Sequence, residues 1–388
     1  MLANALAGVL NYGFQIQAAR RLGLIDFGVL SNWLANVTIT LMVASLSQML
    51  ANYFPMSKRR LAWCSIGIIG TSICLAACLL LMNLNETLTP QLNQLASVFM
   101  GVASGWLAGQ VQARLRFGLL GLALFVGAAA KFGTTFMVFP SQSELASYYL
   151  AIPLGLAVAA VVLGGGILLR PASDHHLASV AEQPVARVAS AAILAVATAL
   201  LPQLDIINLR LTQTDAMIGQ YSRVMLFAKG IFFSAATMLQ VALPLHLLAQ
   251  RAQGEKRQSS GDERSVWRAE MAVIGMCAVV AAGVTWIGPW ISSHFLGFPL
   301  ADFQMWILLT CLIAAVQFGL LQEIQRNCAK LDWRGATFGL AGCVGIFGLN
   351  CGLRLDRVGD YLLLACIYYS VLLALLLGRT LSMSRKSL

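Results

Sequence analysis

Amide and hydroxyl side chains lie at helical spacing inside stretches of the sequence that are otherwise apolar. Residues three or four positions apart share one face of a helix, so each row can hydrogen-bond to a common partner. A polar row within lipid must face protein or water, and the rows therefore predict a hydrated cavity. The rows are Asn4, Gly8, Asn11 and Gln15; Asn32, Asn36, Thr40 and Ser47; Thr198, Pro202, Asp205 and Asn208; and Ser222, Lys229 and Gln240.

Charged side chains also lie in or beside the apolar stretches, and most of them are cations. The cations are Lys131, Arg223 and Lys229, with Arg20 and Arg21 just after the first stretch, and the carboxylate placed well inside is Asp205. A charge at the centre of a bilayer costs about 2.5 to 3.5 kcal/mol on insertion scales, so its retention indicates a function. The excess of cations predicts a cavity that favours an anionic partner.

These charges also have interpretations that need no ligand. Arg20 and Arg21 can snorkel to the outer headgroups, and Arg223 lies near enough to the start of its stretch to do the same. Asp205 can bind a cation or take up a proton. It can equally pair with Lys229 or Arg223, because an unpaired buried carboxylate is costly.

The apolar stretches are long enough to cross a membrane. Hydrophobic residues make up 59% of the chain and charged residues only 11%, against about a quarter in soluble domains. A spanning helix needs about 20 mostly apolar residues. We predict an all-α integral membrane protein with about twelve transmembrane helices, at residues 1–19, 29–54, 61–82, 92–113, 118–139, 145–169, 188–209, 221–249, 269–291, 303–325, 335–353 and 360–381.

The basic residues predict how these spans are oriented. With the N-terminus in the cytoplasm, eighteen of the 26 basic residues fall in cytoplasmic segments, five fall in outer segments and three fall within spans. Such a bias toward the inside is typical of membrane proteins. Both termini are therefore predicted to be cytoplasmic.

The polar stretch from Arg170 to Arg187 divides the predicted spans into two groups of six. The groups begin with similar patterns, and transporters are commonly built from repeats with the substrate site at their interface. We predict an N-terminal half at residues 1–175 and a C-terminal half at 176–388. The matched patterns are Arg21-Leu22 with Phe27-Gly28, and Arg210-Leu211 with Ile218-Gly219.

Motifs of several other functions are absent from the sequence. It has no glycine-rich phosphate loop that ends in Gly-Lys-Ser or Gly-Lys-Thr, and its four histidines lack metal-ligand spacing. The nine cysteines have no paired spacing and are predicted to be small residues of the core or the lipid face. We predict no cofactor, no metal site and no enzymatic activity.

Two short motifs resemble those of a known family. Ala18-Ala19-Arg20-Arg21-Leu22-Gly23 through Phe27-Gly28 is similar to the first-loop pattern of polysaccharide flippases of the O-antigen (Wzx) type. Leu204-Asp205-Ile206 followed by Ile218-Gly219-Gln220-Tyr221-Ser222 resembles the junction of the seventh and eighth spans in that family. The family belongs to the multidrug, oligosaccharidyl-lipid and polysaccharide exporter superfamily.

The resemblance implies two six-helix lobes around a central cavity lined largely by spans 1, 2, 7 and 8. It also implies that an undecaprenyl diphosphate-linked oligosaccharide crosses the bacterial inner membrane by alternating access, with coupling to protons or sodium left open. A diphosphate requires cations, and sugars require amides and hydroxyls. The expected ligands are Arg21, Lys131, Arg223 and Lys229 for the diphosphate, and Asn11, Gln15, Asn36 and Gln240 for the sugars, with Asp205 in the same cavity.

Two other transporter classes fit parts of the sequence. An ion-coupled multidrug antiporter of the same superfamily would need a carboxylate within the membrane, which Asp205 can supply, although Asp26, Glu86 and Glu144 are predicted to lie in loops. A major-facilitator transporter also has twelve spans in two halves, but its Gly and Asp pattern is missing from residues 53–60. The charge of the substrate distinguishes the flippase from the antiporter.

Overall fold

The computed structural model is helical, and no strand occurs in the part of the chain that it describes. That part comprises residues 2–54, 56–84, 90–136, 144–169, 184–230, 232, 275, 279–280, 282–298, 300, 303–329, 332–353, 355 and 357–386. Contacts group the chain into two compact units, Met1–Ala199 and Leu200–Leu388. The division into lobes at residues 175 and 176 stays a prediction.

The described part of the first unit is a series of helices. They are α1 (Leu2–Arg21), α2 (Leu24–Thr40), α3 (Met42–Tyr53), α4 (Lys58–Leu84), α5 (Pro90–Ala113), α6 (Phe117–Thr134), α7 (Glu144–Leu169) and α8 (Pro184–Leu200).

The second unit opens with a 3-10 turn at Leu201–Gln203 and the short helix α9 (Leu204–Arg210). Residues 215–230 form α10, and residues 282–291 form α11, which continues into a π-helical turn at Ser292–Leu296. The unit ends with α12 (Gln304–Ala329), α13 (Trp333–Leu353) and α14 (Val358–Lys386).

Eight helical segments in the described part of the chain are long and apolar enough to cross a membrane. The prediction of an all-α integral membrane protein is therefore confirmed. The predicted spans 1–19 and 92–113 correspond to α1 and α5, which are helical but are not among these eight because they carry more amides. Most of the predicted spans 221–249 and 269–291 lies outside the described residues.

Two spans predicted as continuous helices are interrupted, and the sequence explains each break. The helix predicted at 29–54 breaks at Leu41, where Thr38 Oγ1 donates to Leu34 O at 2.7 Å and Thr40 Oγ1 donates to Val37 O at 2.9 Å. Threonine hydroxyls bonded to the preceding turn bend helices. The helix predicted at 188–209 is interrupted at Leu201–Gln203, because Pro202 has no N–H to donate.

Contacts within the first unit fix the relative directions of several helices. Lys131 and Thr135 of the α6 end contact Asn11 and Arg21 of α1 in the same order, so these two helices run parallel. Helices α6 and α7 run antiparallel, since Gly127 contacts Gly155 while Gly166 faces Leu119. These directions match the alternation of the predicted spans.

Helices α3 and α5 pack so closely that only glycine fits at two points. A Cβ added to Gly105 would overlap Ala44 O, and one added to Gly109 would overlap Gln48 O. The spacing of four residues places both glycines on one face, which is a common arrangement where membrane helices pack closely. The apolar pattern predicted the two helices but not this contact.

Candidate functional site

Lys131 lies at the contact between α6 and α1. Its ammonium Nζ donates a hydrogen bond of 3.1 Å to Asn11 Oδ1 and sits 4.3 Å from the centre of the Phe14 ring. Phe14 is fully buried and packs edge-on against Tyr148 of α7, with ring centroids 5.6 Å apart. A cation held by an amide oxygen and an aromatic face is oriented by two neutral groups.

The position of Lys131 follows from where α6 ends. The helix ends at Thr134 rather than at the predicted residue 139, so Lys131 lies in the last turn and not deep within the span. A cation is stabilised at a helix C-terminus by the helix dipole. Thr134 Oγ1 donates to Lys131 O at 2.7 Å and adds a further bond to this turn.

Arg21 joins the ends of the same two helices. Its Nη1 donates to Thr135 O at 2.9 Å, and its guanidinium carbon lies 5.6 Å from the centre of the Phe136 ring. The arginine side chain is otherwise exposed. Two of the four cations predicted to contact the diphosphate, Arg21 and Lys131, are therefore on one helix pair.

The amide side chains that were predicted to bind sugars differ in their solvent exposure. Asn11 is exposed beside Lys131, and Gln15 is half-buried on the same helix. Asn36 is exposed on α2. The side chains of Gln15 and Asn36 form no hydrogen bond with any described residue, and Gln240 lies outside the described part of the chain.

A second polar cluster lies in the second unit and is centred on Asp205. This side chain is only 2% exposed. Its carboxylate accepts a hydrogen bond from the hydroxyl of Tyr221 and another from that of Tyr361, each at 3.2 Å. The cluster therefore joins α9, α10 and α14 through one buried carboxylate.

The sequence left open whether Asp205 pairs with Lys229 or Arg223, and the structure places neither cation in direct contact with the carboxylate. Among the described residues, no basic nitrogen lies within 4.0 Å of the Asp205 carboxylate. Lys229 follows Tyr221 by about 12 Å along α10, and Arg223 is rotated about 200° from Tyr221 around that helix. Lys229 is buried and interacts with Asp205 only through the longer-range attraction of their charges. The guanidinium of Arg223 lies 4.8 Å from the Phe298 ring centre.

Two asparagines extend the polar cluster along the neighbouring helices. Asn208 Nδ2 donates to Leu204 O at 3.0 Å, and Asn350 Nδ2 of α13 donates to Asn208 O at 3.3 Å. The side-chain oxygens of both asparagines are buried and accept no hydrogen bond from any described residue. Sequence analysis did not identify Tyr361 or Asn350 as part of this site, although an asparagine inside an apolar stretch was a usable signal.

No group of three or more His, Cys, Asp or Glu side chains comes together within the described residues.

Comparison with known proteins identifies solved structures that have a similar fold. No protein-family model and no curated protein matches the sequence. A multidrug resistance MATE family transporter of the MOP superfamily, solved in an outward-facing conformation, is similar over 99% of this chain and 96% of its own, with 12% identity and a TM-score of 0.60.

Two further structures give the same result. An inward-facing MATE family transporter of the MOP superfamily covers 98% of this chain and 96% of its own, at 12% identity and a TM-score of 0.57. A mutant of the Vibrio cholerae MATE transporter VcmN covers 100% and 99%, at 12% identity and a TM-score of 0.58. At this identity the likeness shows that the chain has the fold of these transporters.

Proposed function

We propose that the protein is a flippase that moves a polyprenyl diphosphate-linked oligosaccharide from the cytoplasmic to the outer leaflet of a bacterial inner membrane. The movement occurs by alternating access and serves the synthesis of a cell-surface polysaccharide. The shared fold supports the transport cycle, because related structures have been solved in inward-facing and outward-facing conformations.

The observation that carries the anionic substrate is the pair of cations on α1 and α6. Lys131 is oriented by Asn11 and Phe14, and Arg21 lies at the end of the same helix pair. The carboxylate of the first unit whose side chain the structure describes is that of Asp26, in the first turn of α2. Neither α1 nor α6 carries a carboxylate, so the charges at the contact between these two helices favour a negatively charged group over a positively charged one.

Each part of the substrate has a proposed partner. The diphosphate accepts charge-assisted hydrogen bonds from Lys131 and Arg21, and the sugars exchange hydrogen bonds with Asn11 and Gln15. The polyprenyl tail remains in the hydrocarbon. The remaining predicted ligands are proposed to join in other stages of the cycle, and they are Asn36, Asp205, Arg223, Lys229 and Gln240.

A second candidate function is supported by Asp205. A buried carboxylate that accepts bonds from two tyrosine hydroxyls is a group that could exchange a proton or hold a cation, as an ion-coupled multidrug antiporter requires. The similar structures described as multidrug resistance transporters agree with this alternative. Its substrate would be an organic cation.

Transport in proteoliposomes distinguishes the two functions. The purified protein is reconstituted, and the movement of a fluorescent polyprenyl diphosphate oligosaccharide is compared with that of an organic-cation dye. We expect the anionic lipid to move and the dye to stay. If the protein instead exports the dye and leaves the lipid in place, and if Asp205→Asn abolishes the dye export, the protein is the antiporter.

A further inference from the structure

An apolar groove lies between α4 and α5 in the first unit. Its volume is about 780 Å³. The Thr71 hydroxyl in this groove donates its hydrogen bond to Gly67 O of its own helix at 2.9 Å, so it has no donor left for a ligand in the groove. Leu95 and Phe99 on the α5 side are more than half exposed, which opens the groove toward the hydrocarbon. Its lining includes Cys64, Gly67, Thr71, Phe99, Ala103 and Trp106.

Three exposed basic side chains lie at one end of this groove. Lys58, Arg59 and Arg60 form the first turn of α4, about one turn before Cys64. None of them forms a hydrogen bond or ion pair within the described part of the chain. The N-terminus of a helix is itself partially positive, so three cations there repel the dipole as well as one another. An anion at this position would relieve that repulsion.

We infer that the groove and the Lys58–Arg60 cluster bind one anionic phospholipid. An acyl chain lies in the groove, and the phosphate of the same lipid lies beside the Lys58–Arg60 cluster. It is nearest to Arg60, which shares a helix face with Cys64. The positive-inside bias assigns this end of α4 to the cytoplasmic leaflet, where anionic lipids attract basic segments that border the membrane.

This lipid site is separate from the proposed substrate site. The predicted substrate ligands of the first unit lie on α1, α2 and α6, and none lies on α4 or α5. The inference therefore stands whether the transported molecule is an anionic lipid or an organic cation. Binding of a lipid to this site can be measured without transport.

Quenching of tryptophan fluorescence by brominated lipids tests the inference. The protein is reconstituted with brominated phosphatidylglycerol or brominated phosphatidylcholine, and the quenching of its tryptophan fluorescence is measured. The fluorescence that comes from the groove is the part that is lost in the Trp106→Phe variant. We expect phosphatidylglycerol to quench this component at lower mole fraction than phosphatidylcholine. Glycerophosphoglycerol, a soluble headgroup without acyl chains, should not compete, because the groove holds the chain.

The charge is tested by matched triple variants. Replacing Lys58, Arg59 and Arg60 by Gln should reduce the preference for phosphatidylglycerol at least fivefold, since each basic residue near an anionic surface contributes roughly fivefold. Replacing Arg20, Arg210 and Arg357 by Gln removes the same charge from exposed positions at the predicted outer face and should leave the preference unchanged.

The groove is tested by a pair of glycine variants. A side chain at Gly67 meets no atom within 4 Å and would enter the groove, whereas Gly70 has the same open space but does not line it. Gly67→Leu should weaken quenching by both lipids, and Gly70→Leu should not. Equal quenching by the two lipids in the unmodified protein, or unchanged quenching in Gly67→Leu, would overturn the inference.

Discussion

Lys131 donates a hydrogen bond of 3.1 Å to Asn11, so that the last turn of α6 is bonded to the middle of α1. The two residues are the proposed ligands of different parts of one substrate, because the lysine serves the diphosphate and the asparagine serves the sugars. Their contact means that the cation and the amide are positioned together by one pair of parallel helices.

Removing the charge of Lys131 should impair transport without unfolding the protein. A hydrogen bond to a charged group contributes about 1.5 to 3 kcal/mol, so Lys131→Met should slow translocation of the diphosphate lipid by about tenfold or more. Lys131→Arg should retain most of the rate. Arg357→Met, which removes an exposed cation far along the chain, serves as the control. A full rate in well-folded Lys131→Met would refute the role of this cation.

The effects of Lys131 and Asn11 should not be additive. Since the two side chains are bonded, Asn11→Ala and Lys131→Met together should slow translocation by less than the product of the single effects. The coupling is measured by a double-mutant cycle on the translocation rate. Independent effects would show that the two residues act at separate steps.

The tyrosines around Asp205 should contribute to stability. Tyr221→Phe and Tyr361→Phe each remove one hydrogen bond to the buried carboxylate and should lower the free energy of unfolding by about 1.5 to 3 kcal/mol. Thermal unfolding in detergent provides the measurement. Ser370→Ala removes a hydroxyl that is exposed and bonded only to its own helix, so it should change stability by less than about 0.5 kcal/mol. Tyrosine variants as stable as this control would show that the cluster is not structural.

The close packing of α3 and α5 should make Gly109 intolerant of a methyl group. Gly109→Ala places a Cβ against Gln48 O and should destabilise the protein by about 1 to 3 kcal/mol. Gly70→Ala in the interior of α4 meets open space and should stabilise it by about 0.5 to 1 kcal/mol. Opposite shifts of the unfolding temperature would confirm the contact, whereas the same shift for both would exclude it.

The sequence predicted the helices because their apolar length is a local property. It also contained the signals for the break at Pro202 and for the close packing of Gly105 and Gly109, since proline and regularly spaced glycines act locally. The partners of polar side chains could not be predicted in the same way. Gln110 donates to Ala51 O at 3.1 Å and accepts from Met56 N at 2.9 Å, and nothing in its own segment specifies that distant turn.

The Asp205 site shows the same limit. The sequence identified the carboxylate within the membrane and gave pairing with Lys229 or Arg223 as one interpretation of it, whereas the groups that donate hydrogen bonds to it are two tyrosine hydroxyls. Tyr361 is distant in sequence, so only the packing of α14 against the rest of the unit could reveal it.

Recognition of the transported molecule through its diphosphate can be tested with a pair of lipids that differ only in that group. Proteoliposomes are given two fluorescent lipids that carry the same oligosaccharide and polyprenyl chain, one through a diphosphate and one through an uncharged glycosidic bond. We expect the diphosphate lipid to be translocated and the uncharged lipid to remain in its original leaflet. Equal translocation of both lipids would contradict recognition through the diphosphate. Translocation of neither lipid, in vesicles that do export an organic cation, would also contradict it.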